Sequence, residues 1–273
     1  MLEQPTKAAP PPGAAQPTRI LAIANQKGGV GKTTTAINLA TALATAGESV
    51  LLVDLDPQGN ASTGLGVGQS RRERGTYLAL LGEDSVTAMA IATGVPNLSI
   101  LPADAELAAA EFELAALEQR EYRLQKALAA DPGRHSFVLI DCPPSFGLLT
   151  INGLVAADAV LVPLQCEFFA LEGISQLVRT VERIQQHLNP RLALQGIVLT
   201  MFDKRNNLSE LVAADVRSFF GQLVYQTVIP RNVRVSEAPS HGKPVMLYDL
   251  RSPGAQAYVR LAVEVMRREH RGT

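Results

Sequence analysis

Between a β-branched apolar run, Ile20–Ala24, and an apolar helical pattern over Thr33–Ala46 lies the segment Asn25-Gln26-Lys27-Gly28-Gly29-Val30-Gly31-Lys32-Thr33-Thr34. Three glycines at a strand-to-helix turn let successive backbone N–H groups curl around an anion, and the helix N-terminus adds its partial positive charge. At this spacing Lys32 can reach β- and γ-phosphates, and the Thr33 hydroxyl can ligate magnesium. The segment departs from the pattern G-x-x-x-x-G-K-[ST] because Gln26 stands where its first glycine would fall, and a second lysine, Lys27, opens the loop. A turn of this kind requires a strand before it and a helix after it, which directs the chain toward α/β architecture.

The rest of the sequence agrees with that architecture. Short apolar runs at Ile20–Ala24, Val50–Asp54, Leu98–Leu101, Phe137–Asp141, Ala159–Pro163, Gly196–Thr200 and Val224–Ile229 alternate with helical patterns. Such alternation predicts βαβ units and a mostly parallel sheet covered by helices on both faces. Gly47 supplies a stop for the first helix. A longer amphipathic pattern over 104–130 carries Leu107, Phe112, Leu114, Leu117, Tyr122, Leu124 and Leu128 and ends at Asp131-Pro132-Gly133. Gly68–Gly75 reads as a polar surface loop, and residues 1–17, rich in Ala and Pro, as a disordered tail ahead of a single domain over 18–273. No apolar run is long enough to span a bilayer and no leader pattern is visible, so a cytoplasmic protein is expected. Cys142 and Cys166 have neither metal nor redox spacing and read as buried small residues.

Two acidic sites and one charge asymmetry add chemistry. Asp54 and Asp56, in Val53-Asp54-Leu55-Asp56-Pro57-Gln58-Gly59, leave a strand at its carboxyl edge, where α/β sheets place their ligands. Phe137–Asp141 is an apolar strand ending in an acid, the way a carboxylate is presented to magnesium through water. The net charge of −1 hides a division: residues 201–273 hold 11 Lys/Arg against 7 Asp/Glu, a net of +4. A surface for polyanions is therefore expected in the C-terminal third.

KGGVGKTTTAINLA, then VDLDPQGN, then LIDCPP, resemble the deviant Walker A family that includes ParA/Soj, MinD and the nitrogenase iron protein, over Thr18–Met266. The resemblance implies a three-layer P-loop NTPase fold and a weak, partner-stimulated ATPase that uses ATP/ADP and Mg²⁺. It implies that Lys27 reaches across an ATP-bound homodimer to the partner's phosphates, with Gly28, Gly29, Val30, Gly31, Lys32, Thr33 and Thr34 cradling the chain's own. By the same resemblance Asp56 orients the attacking water, Asp141 holds magnesium through water, and Asp54 supports the magnesium water or Lys27. On its residues alone, Asp54 could equally cap a turn. IPRNVRVSEAPS resembles a loop that packs over the base, with Pro230 and Asn232 as adenine contacts.

Within that family VPLQCEFFALEGISQL, TMFDKRNNLSE and VIPRNVRVSEAPSHGKPVMLYD resemble chromosomal ParA. That likeness implies non-specific binding to double-stranded DNA by the dimer, a ParB-like centromere-binding partner and association with the nucleoid. The matching positions are Arg205 and Arg234, with Lys204, Arg231, Lys243 and Arg251 as lesser candidates. Membrane positioning of the MinD type is disfavoured, because Tyr258, Leu261, Ala262, Val265 and Met266 form a face suited to packing on the sheet and the C-terminal residues lack bulky apolar groups. An iron–sulfur cluster would need a different cysteine pattern. A regulator that sequesters a protein partner remains the alternative. A metabolic ligase or kinase would need a second catalytic cluster, and His135, His187, His241 and His270 are scattered.

Overall fold

The computed structural model describes residues 18–131, 134–168 and 170–271, without the side chains of 270 and 271. The expected disordered tail and Pro132-Gly133 lie outside these residues. Seven strands, β1 (Arg19–Ile23), β2 (Val50–Asp54), β3 (Ile91–Ala92), β4 (Leu98–Leu101), β5 (Phe137–Asp141), β6 (Ala159–Gln165) and β7 (Ala193–Thr200), form one sheet in the order β3-β4-β2-β5-β1-β6-β7. Every pairing is parallel except β3 with β4.

Because side chains alternate across a strand, each strand feeds two cores. Ala22, Val53, Ile140 and Val162 enter one, with Leu154, Ile174, Leu177 and Val216 from the helices on that face. Leu21, Ile23, Leu52, Leu139 and Leu161 enter the other, with Leu39 and Leu43 of α1 (Lys32–Thr45) and Tyr258, Leu261 and Val265 of the C-terminal helix Pro253–Arg271. This is the expected three-layer arrangement. Each Leu or Ile that is wholly buried contributes about 1.5–3 kcal/mol, and β2 and β5 are buried throughout.

Three expectations need correction. Val224–Ile229 is not a regular strand: only Val224 bridges Ile197. The N–H groups of Tyr225 and Ile229 still donate to β7, but the C-terminal helix intervenes: Glu264 accepts from the N–H groups of Gln226 and Thr227, and Arg268 donates to the Val224 carbonyl. The amphipathic stretch 104–130 is not one helix but four short pieces, interrupted at Gln119 with φ 51°. Leu107, Leu114 and Leu124 are buried, whereas Phe112 is 86% exposed. The Gly68–Gly75 stretch is not wholly superficial, because Arg72 is only 6% exposed.

Candidate functional site

The loop after β1 meets the carboxyl ends of its two neighbours, β5 and β6. Gly29 (φ 74°) and Gly31 (φ 89°) take left-handed backbone, and Gly31 is the N-cap of α1. That conformation favours glycine, and it turns the first N–H groups of the helix outward. A Cβ placed on Gly28 or Gly29 would meet nothing within 4 Å, so the loop faces open space. The base of the loop is pinned at both sides: Asn25 donates to the Pro163 carbonyl at 2.7 Å, and the Thr200 hydroxyl donates to the Val30 carbonyl at 2.8 Å.

Lys32 is buried, and its Nζ donates to the Lys27 carbonyl at 3.0 Å. Burial lowers its pKa, while Asp141 and Asp56 pull it back up. Lys27 behaves differently. Its side chain is half exposed, and its Nζ pairs with Glu167 at 2.5 Å, a residue just beyond β6.

Asp54 and Asp141 are register partners at the ends of β2 and β5, and both are wholly buried. One oxygen of Asp54 accepts from the Ser62 N–H (2.8 Å) and hydroxyl (2.6 Å), and the other has no partner. Neither oxygen of Asp141 has a hydrogen-bond partner. Burial, and then the neighbouring carboxylates, push Asp54 up to about 6 and Asp141 well above the usual carboxylate range. The charged Lys32 and the nearby Thr33 side chain pull Asp141 the other way. Asp56 is 8% exposed and caps its own turn, accepting from the Gln58 N–H at 3.0 Å.

The residues present fit a magnesium ion. Asp141 offers two unpartnered buried oxygens beside Thr33, an all-oxygen set suited to a hard cation. Among the described residues no group of three or more His, Cys, Asp or Glu is placed to hold a metal ion by itself. The cysteines are free and buried; burial raises both, Cys166 to about 11. Ser62, Arg72, Glu167 and Thr200 join the site without any prior sequence signal.

The C-terminal candidates gather around two loops joined by backbone contacts. The Phe202 N–H donates to the Ile229 carbonyl and the Arg231 N–H to the Phe202 carbonyl, each at 3.0 Å. β7 therefore carries the segment with Pro230 and Asn232 to the flank of the phosphate loop, against which Thr200 is bonded. The Asn232 Oδ1 is buried without a partner. Lys204, Arg205, Arg231, Arg234, Lys243 and Arg251 are all exposed. Arg205 forms a two-pronged pair with Asp203, holding that carboxyl down at about 2. Arg234 pairs with Glu237 at 3.0 Å and Asp249 at 3.5 Å, and lies over Tyr248. Among the described residues no helix is long and apolar enough to cross a membrane.

Residues 18–194 match the model of a family described as an AAA domain. The chain is 62% identical over 257 residues to the chromosome partitioning protein ParA of Caulobacter vibrioides, covering 93% of this chain and 96% of that one. It is 54% identical to the sporulation initiation inhibitor protein Soj of Bacillus subtilis, over 90% and 98% of the two chains. Among solved structures, a Mycobacterium smegmatis protein named cobyrinic acid a,c-diamide synthase, with bound ADP and magnesium, superimposes with a TM-score of 0.82 at 41% identity, covering 94% of this chain and 97% of that one. The cell division ATPase MinD of Pyrococcus furiosus does so with a TM-score of 0.76 at 28% identity, over 91% and 98%. Identity of this extent, along nearly the whole chain, places the protein in the ParA/Soj family of chromosome-partitioning ATPases.

Proposed function

We propose that the chain is a nucleotide-gated switch: with ATP it dimerises and binds DNA without sequence preference, and hydrolysis, stimulated by a ParB-like partner, resets it to move a chromosome or plasmid. The observation that carries this reading is the convergence of one buried lysine and three buried carboxylates at the lip of a glycine loop whose second lysine points outward. A protein that only stored a nucleotide would have no use for that second cation.

The N–H groups of Gly28 to Thr34 and the Lys32 ammonium hold the phosphates. Thr33 and, through water, Asp141 hold Mg²⁺, with Asp54 behind them. When bound, the metal neutralises charge developing on the phosphoryl oxygens. Asp56 orients the attacking water, and Pro230 with Asn232 face the adenine. Lys27 exchanges its pair with Glu167 for the partner subunit's phosphates. A solved relative at 41% identity carries ADP and magnesium, in keeping with this assignment. Arg205 and Arg234, assisted by Lys204, Arg231, Lys243 and Arg251, contact DNA phosphates, an interaction that fixes position but reads no bases. The protein would then work in the cytoplasm on the nucleoid.

Co-sedimentation with random-sequence duplex, using ATP, ADP and no nucleotide at two salt concentrations, tests the reading. Salt-sensitive binding confined to ATP is expected. Equal binding in all three states, or none in any, sinks the switch.

A further inference from the structure

The stretch Arg71-Arg72-Glu73-Arg74 holds three arginines, of which two are exposed and one is not. Arg72 lies 6% exposed, and among the described residues no carboxylate hydrogen-bonds or ion-pairs with it, although the charge of Asp54 acts on it from farther off. Its Nε and Nη2 donate to the Val67 carbonyl at 2.9 and 2.5 Å, Nη1 to the Gly59 carbonyl at 3.2 Å, and Nη2 to the Thr63 hydroxyl at 2.8 Å. A buried cation whose hydrogen bonds all go to neutral acceptors is costly to keep, so its position calls for a role beyond filling space.

What it grips is the backbone between the two acids of the first acidic loop and the helix that follows. The Gly59 N–H donates to the Asp56 carbonyl at 2.9 Å and closes the turn that carries Asp56. The Gly59 carbonyl accepts from Arg72 and from the Thr63 hydroxyl, so Arg72, Thr63 and Gly59 form a closed ring of hydrogen bonds. Gly59 has φ 62°, and a Cβ there would stand 2.5 Å from Arg72 Nη1, so the guanidinium rests directly on the turn. The helix Asn60–Gly64 that starts at this turn presents Ser62, which donates two hydrogen bonds to Asp54. The Val67 N–H donates to the Ser62 carbonyl at 2.9 Å while the Val67 carbonyl accepts from Arg72, so the residue that Arg72 holds is itself tied back to the helix.

We infer that Arg72 is a positioning residue for ATP hydrolysis: by clasping Gly59, Thr63 and Val67 it sets the Asp56 turn and the Ser62 contact to Asp54 in one rigid piece. The inference rests on the reading of Asp56 as the residue that orients the attacking water. It does not touch the phosphate loop, so nucleotide affinity and turnover should separate.

The test measures kcat, KM and ADP affinity for the full-length wild type, Asp56→Ala, Arg72→Met and Thr63→Val, with melting temperatures alongside. Arg72→Met is expected to lower kcat about 10- to 100-fold, because small misplacements of reacting groups carry costs of that size, while ADP affinity stays within about threefold. Thr63→Val, which removes both the acceptor for Arg72 and the donor to the Gly59 carbonyl while keeping the side-chain volume, should lower kcat by a smaller factor with affinity unchanged. It decides the matter should Arg72→Met not fold. Guanidinium ion added to Arg72→Ala should restore part of kcat without changing ADP affinity. Wild-type kcat in the Arg72 and Thr63 variants, or a parallel loss of kcat and ADP affinity in both, overturns the inference. Equal turnover in wild type and Asp56→Ala instead overturns the reading on which it rests.

Discussion

The carboxyl edge of the sheet and the basic C-terminal surface both carry charge, but they hold it in opposite ways. At the edge, Lys32, Arg72, Asp54, Asp56 and Asp141 are nearly or wholly withdrawn from water, with polar atoms left unpartnered. On the surface, Arg205 and Arg234 are exposed and already paired, with Asp203 and with Glu237 and Asp249. A buried charge interacts strongly and is expensive to hold; a surface pair contributes little and is screened by salt. The first region is therefore built so that one side chain decides an outcome, the second so that many share it.

The largest effect should follow from Lys32→Ala. Removing a buried, hydrogen-bonded cation from a phosphate site costs about 3–5 kcal/mol, or about 10²- to 10⁴-fold in nucleotide affinity. Titration with a fluorescent ADP analogue measures this; a loss under tenfold would mean that the glycine loop alone supplies the affinity. Of comparable size is the effect of Asp56→Ala, expected to lower turnover about 10²- to 10⁴-fold while nucleotide binding persists, so that ATP traps the DNA-bound dimer. Phosphate-release kinetics and DNA co-sedimentation read the two halves of that statement, and normal hydrolysis would remove Asp56 from its role.

The third prediction concerns stability, where the two regions should respond to pH with opposite signs. Burial pushes the folded pKa of Asp54 above the ordinary 3.8, up to about 6. The fold binds that proton more tightly than the unfolded chain does, so stability measured without nucleotide falls as pH rises from 3.8 toward about 6. Asp141 acts in the same direction. Asp203, held down at about 2 by Arg205, contributes stability present above 3.8 that is lost as pH falls toward about 2. Asp141→Asn should then raise the unfolding free energy of the protein without nucleotide by about 1–3 kcal/mol at pH 7 and flatten its decline with pH. Denaturant melts between pH 4 and 8 check this. A less stable Asp141→Asn would show that the buried carboxylate is compensated.

The same division explains what could be read in the sequence. The phosphate loop, β2, β4 and β5 were legible because a glycine turn and a continuous apolar run each have one local cause. Asp54, Asp56 and Asp141 could be placed on one edge because all end or follow parallel strands. Their partners could not. Ser62 reaches Asp54 from the next helix and Arg72 clasps the Asp56 turn from farther along the chain, and nothing distinguishes Arg72 from Arg71 or Arg74 in composition or spacing. The strand expected at Val224–Ile229 failed for a related reason: Arg268 and Glu264, some 40 residues downstream, take backbone groups of Val224, Gln226 and Thr227. Tertiary side-chain contacts, unlike periodicity, leave no local trace.

The smallest effect, and the sharpest test of the contrast, belongs to Arg234→Ala. Arg234 is free to turn outward, but it must leave Glu237 and Asp249 to do so, and each surface pair is worth at most about 1 kcal/mol. One lost phosphate contact should therefore weaken ATP-dependent DNA binding only about 3- to 10-fold at moderate salt and lower the slope of log affinity against log salt by about 0.9. Arg205→Ala should do the same, and the double variant should combine the two losses additively, as expected for independent contacts to a uniform polyanion. Salt-dependent binding curves for the two single variants and the double variant measure this. A single variant that abolished binding would mean that one arginine is buried against DNA in the complex, and the surface would then resemble the carboxyl edge rather than contrast with it.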